Sequence, residues 1–130
     1  MKKTLLVDFD GVVHSYESGW VEADFVPDPP VAGAMEFLHG AIKKFDVKIY
    51  SSRSSHAGGT KAMKTWLQYW AKKQLPEAEA DVVVSWTEAV GSFPTDKPAA
   101  FLTIDDRCVC FDGQWPDLDV LLEFKPWNKK

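Results

Sequence analysis

Four short apolar runs divide this chain: TLLVDFD at 4–10, DVKIYSS at 46–52, ADVVVSW at 80–86 and AAFLTIDD at 99–106. Runs of this length, bounded by polar or turn residues, read as buried strands. Between the first two, Val31, Ala34, Met35, Leu38, Ala41, Ile42 and Phe45 keep helical spacing, and Pro29 and Pro30 suit a helix entry. A second helix is predicted from Thr60 to Gln74, with Met63, Trp66, Leu67, Trp70 and Ala71 on one face and Pro76 beyond its end. CVCFDG (108–113) reads as a short edge strand and PDLDVLLEF (116–124) as a last helix. Alternating strands and helices predict an α/β fold whose parallel sheet is covered on both faces.

A chain of 130 residues has room for one domain spanning 1–130. Residues 14–30 are polar, aromatic and Pro-rich and read as a flap or hairpin, while 125–130 form a basic tail. The net charge of −4 argues against a protein that coats nucleic acid through many phosphate contacts, though not against a local basic patch. MKKTLLV imitates the start of a signal peptide, but Asp8 and Asp10 interrupt its apolar run too early. No run is long enough to span a bilayer. Cys108 and Cys110, two residues apart, are poorly placed to bond to each other and read as reduced, structural thiols, so the expectation is a cytoplasmic protein.

Function is concentrated at the strand ends. In open α/β sheets, ligands sit beyond the carboxyl ends of the strands. There the first strand presents Asp8 and Asp10, the second Ser51, and the last Asp105 and Asp106, with Lys97 in the preceding loop. Taken singly, each has an ordinary explanation as a helix cap or turn residue. Their joint order does not. Four carboxylates in one crevice repel unless a cation lies between them, and a hard divalent ion such as Mg²⁺ is the usual partner of carboxylates and phosphate. Lys97 and the Ser51 hydroxyl add donors for phosphate oxygens. The set suits phosphoryl transfer, with Asp8 as nucleophile and Asp10 as the acid that protonates the leaving group and later activates water.

LLVDFDGVV, VKIYSS, Lys97 and FLTIDD, in that order, resemble the four motifs of the haloacid dehalogenase (HAD) superfamily. The resemblance implies a Rossmann-like three-layer α/β/α sandwich and a Mg²⁺-dependent phosphatase working through an aspartyl-phosphate. It implies Asp8 as nucleophile and Asp10 as general acid/base. The metal would be held by Asp8, Asp10 (through its backbone carbonyl) and Asp105, with Asp106 as a further ligand or its neighbour, and the phosphoryl group by Ser51 and Lys97. Arg53, two residues after Ser51 as in polynucleotide kinase phosphatases, is a candidate for a second phosphate. The flap at 14–30 is too short for a cap domain, which implies an open site for a nucleotide or nucleic-acid terminal phosphate, or one closed by a second copy. His14, His56 and the loop tryptophans Trp20, Trp115 and Trp127 are candidate contacts. Arg107 reads as balancing the acidic pair. A phosphotransferase with the same chemistry, or a non-catalytic module binding a phosphorylated ligand, fits the same residues.

Overall fold

The computed structural model describes residues 1–129. Its elements run β1 (Thr4–Val7), α1 (Ala34–Lys44), β2 (Asp46–Ile49), α2 (Gly59–Gln74), α3 (Glu77–Glu88), β3 (Leu102–Ile104) and α4 (Leu118–Leu122). The three strands form a parallel sheet in the order β2-β1-β3. Leu5 lies opposite Val47 on one side and Leu102 on the other, and Val7 opposite Ile49 and Ile104. β1, central and buried along Leu5, Leu6 and Val7, is the strand that carries the first acidic pair.

Side chains two apart on a strand share a face. Leu5, Val7, Val47 and Ile49 therefore point together, and they enter one core with Met35 and Leu38 of α1, Met63 and Leu67 of α2 and Val83 of α3. Leu6, on the opposite face, is buried but stands outside that core. Helix ends follow electrostatics: Glu36 lies in the first turn of α1, and Lys43, Lys44, Lys72 and Lys73 lie in the last turns of α1 and α2, where positive charge offsets the helix dipole.

ADVVVSW, read from sequence as a third strand, is helical. Its three consecutive valines favour a strand locally, yet the buried residues Ala80, Val83, Trp86 and Thr87 recur at helical spacing. Pro76 opens the helix and Glu77 and Glu79 occupy its first turn. The helix and the turn after it occupy the edge of β2 that a further strand would have taken. Trp86 Nε1 donates to Val47 O at 2.9 Å, and Ile49 N donates to Ser92 O at 2.8 Å. CVCFDG is likewise not a strand. Both cysteines are free and exposed, and Cys108 Sγ lies 3.7 Å from Asp105 O. Among the described residues no helix is long and apolar enough to cross a membrane.

Candidate active site

Asp8 is the first residue beyond β1, and its N–H donates to Ile104 O at 2.9 Å, so both acidic pairs leave the sheet at the same level. The chain then turns sharply. Phe9 O receives the N–H groups of Val12, Val13 and His14, and Gly11 takes a positive φ of 83°. Gly11 has a second reason to be glycine: a β-carbon there would overlap the carboxylate of Asp106. The first strand's turn and the last strand's second aspartate are thus in direct contact.

Asp8, Asp105 and Asp106 each offer an oxygen within 4.8 Å of the others. Burial, the charge of Asp105 and a hydrogen bond with Asp106 push the Asp8 carboxyl up to about 8. Two depressions meet at Asp8. One, of about 190 Å³, is lined by Asp8, Tyr50, Ser51, Ser52, Lys97 and Asp105, with Leu6 and Thr103 at its base. The other, of about 280 Å³, is lined by Asp8, Asp10, Tyr16, Ser52, Asp106 and Arg107. Asp105 and Asp106 therefore flank the Asp8 side chain, and Ser51 and Lys97 line a depression that it shares. Ser51 is buried, and its Oγ accepts the Arg53 N–H at 3.2 Å in a short turn that fixes the hydroxyl.

The Asp10 side chain lines a depression with Asp8 and Asp106 but is not one of the three grouped carboxylates. Arg53 Nε donates to both of its oxygens, at 3.1 and 2.9 Å, and His14 Nδ1 lies 2.8 Å from Oδ1. His14 Nε2 accepts the Asp28 N–H at 3.1 Å, which leaves the ring proton on Nδ1 to face Asp10. Asp28 is in turn held by the N–H and hydroxyl of Ser18. His14 is wholly buried, stacked on Phe9 and edge-on to Trp66, and so touches Asp10 rather than the mouth of the site.

Arg53 is also wholly buried. Its Nη1 donates to the carbonyls of Glu22, Ala23 and Phe25 at 2.9–3.0 Å, and Trp20 covers the guanidinium with its ring centre 5.0 Å away. The arginine expected at a second phosphate lines neither depression around Asp8; it ties the flap to Asp10 instead. His56 bonds to Ser52 O through Nδ1 and packs on Trp20. Arg107 stays close to the acidic pair, with its N–H on Asp105 Oδ1 and Nε 4.0 Å from Asp106. Trp127 donates to Gly11 O at 2.7 Å, pinning the segment around residue 127 to the turn after β1. Trp115 is exposed.

Sequence reasoning missed Tyr16 and Ser52. Tyr16 carries the chain's only positive φ outside glycine among the described residues, 62°, a strained value for a bulky residue. Burial and the nearby Asp10 push its phenol up. Nothing in the run of the flap marks this residue; only the fold brings it to the site. A larger cavity, about 650 Å³, lies away from the carboxylates, between flap residues 24–28 and α2.

Comparison with known proteins adds nothing to this geometry. No family model, curated protein or solved structure matches the chain.

Proposed function

We propose that the chain is a Mg²⁺-dependent phosphatase of the HAD type, capless, acting on the terminal phosphate of a nucleotide or nucleic acid. One observation carries the reading: Asp8 groups with Asp105 and Asp106 within 4.8 Å and shares a depression with Ser51 and Lys97. The capless form of the fold belongs to this proposal; a third layer does not, since α1, α2 and α3 share one core on one face of the sheet and α4 packs against no other element. It is supported by the parallel sheet with its acidic ends together, and by a flap whose only strand-like pairings among the described residues are the isolated bridges of His14 with Asp10 and Pro30.

The donor set fits a hard divalent ion, because three carboxylate oxygens converge and part-burial makes an uncompensated charge costly at Asp8. Asp8, Asp105 and Asp106 would hold it, and when bound it would offset negative charge on the carboxylates and the phosphoryl group. Lys97 and the Ser51 hydroxyl orient the phosphoryl oxygens. An oxygen of Asp8 forms a bond to phosphorus as the ester P–O bond breaks, and Asp10 gives its proton to the departing oxygen. Asp10 then takes a proton from water as that water attacks phosphorus, which releases phosphate and restores the Asp8 carboxylate. Arg53 and His14 keep Asp10 in one orientation through both transfers.

The test is hydrolysis of nucleotides, 5′- and 3′-phosphorylated oligonucleotides, sugar phosphates and phosphopeptides, with Mg²⁺ and with EDTA. Phosphate release that needs Mg²⁺ and vanishes in Asp8→Asn is expected. Activity that survives Asp8→Asn removes the proposed nucleophile. A wild type that binds phosphorylated oligonucleotide without hydrolysing it returns the protein to the class of binding modules.

A further inference from the structure

From Pro94 to Lys125 the chain buries no residue, although the stretch is rich in large apolar side chains. Trp115 is 87% exposed, Leu122 85% and Leu118 77%, and Phe101, Leu102 and Phe124 are also exposed. α4 has no buried residue and packs against none of the other elements. Its N-cap is well made, with Asp117 accepting the N–H groups of Asp119 and Val120, so the helix is formed but uncovered. A five-residue helix with four apolar side chains in water lacks the packing that normally sustains so short a segment.

The same stretch holds an open sheet edge. β3 ends the sheet, and no strand pairs with its outer side among the described residues. Ile104 O accepts from Asp8, so by alternation the N–H and C=O of Thr103 point outward. Thr103 and Leu102 are exposed. Open edges that carry apolar side chains are templates for another chain.

We propose that this face is where two copies of the chain associate, the β3 edges meeting across a two-fold axis and each α4 covering the apolar surface of the other copy. One observation favours a second copy over a foreign partner, and the exposed area is enough for it. One chain carries both halves of the contact, an uncovered edge and a formed apolar helix that does not fold back onto it, which is the arrangement exchanged in isologous pairs. The area is also of the right size. With roughly 150–250 Å² for a fully exposed aromatic side chain, Trp115, Phe101 and Phe124 expose on the order of 400 Å². Leu102, Leu118 and Leu122 add a few hundred more, approaching the ~800 Å² per partner of a stable interface. Asp112, Asp117, Asp119 and Glu123 lie along the same stretch. Facing their own copies they repel, so salt strengthens this association by screening, whereas a basic partner would be held more weakly.

Sedimentation velocity of the full chain, from about 1 to 100 µM at low and high salt, tests the proposal. A two-chain species is expected, its fraction rising with salt. Leu118→Glu with Leu122→Glu alters only exposed positions and is expected to leave the circular dichroism spectrum intact while weakening the dimer by about 100-fold or more. A wild type that stays monomeric at about 100 µM in high salt overturns the proposal. So does a Leu118/Leu122 variant that dimerises like wild type.

Discussion

Replacing Arg53 with methionine tests whether the flap and the acidic site are one cooperative unit. Methionine keeps an unbranched stem of similar reach but removes every donor. The change leaves the part-buried Asp10 with His14 alone, and it strips the three flap carbonyls of their common partner. Removing one member of a buried ion pair costs about 3–5 kcal/mol, because the remaining charge loses its compensation. The carbonyls contribute less, since a loosened flap reaches water. A loss of about 4 kcal/mol is therefore expected, a large part of the roughly 5–15 kcal/mol that holds a domain together. Urea unfolding followed by circular dichroism measures it, and limited proteolysis reports cleavage within 14–30. Asp10→Asn in the Arg53→Met background should cost much less than the two single changes added, because the pair is already broken. A cost below about 1 kcal/mol, or strict additivity in the double variant, would refute the claim that Arg53 and Asp10 act as a unit.

Three further outcomes follow from the geometry. Gly11→Ala forces alanine to a φ of 83° and drives its methyl into Asp106, so Mg²⁺ binding measured by calorimetry should weaken by more than tenfold even where the fold survives. Asp8 has its folded-state pKa raised, so its contribution to stability is full at pH below the ordinary carboxylate range and is lost as pH rises toward 8. In EDTA, Asp8→Asn should therefore exceed wild type in stability by a margin that grows from about pH 4 to 8 and reaches a few kcal/mol; an equal margin at both ends of that range would contradict the assigned cause. Trp127→Phe removes the bond to Gly11 O and should cost about 1 kcal/mol, with faster amide exchange in the turn at 11–14 than elsewhere.

Much of the site was legible in the chain because its residues follow strands directly. An apolar run that stops at Asp8 or Asp105 states where its strand ends, and parallel pairing then brings those ends together. The two long helices were equally legible from their periodicity. What the sequence hid depends on contacts between distant segments. Arg53 could be placed beside Ser51 but not turned toward the flap, since Glu22, Ala23 and Phe25 capture it through backbone carbonyls that no side-chain pattern advertises. His14, a candidate contact, and Tyr16, which the sequence did not mark, differ from expectation for the same reason: one is drawn inward by the Asp28 N–H, and the other is held at the site by a strained turn. The valines of α3 mislead because local β preference and helical burial spacing conflict, and tertiary packing decides between them.

The indole of Trp86 and the carbonyl of Ser92 close the outer side of β2, and that bears on what the sheet can become. A sheet with two free sides can add neighbours without end, which is the geometry of a fibre. Here one side is already occupied by the protein's own helix and turn, so growth has a single direction. Two such sheets that meet at their free sides leave nothing exposed for a third. In the proposed pairing, the helix that displaced a strand would stop edge-to-edge growth of the sheet at two chains, and Trp86 is the residue at which that stop would be lost.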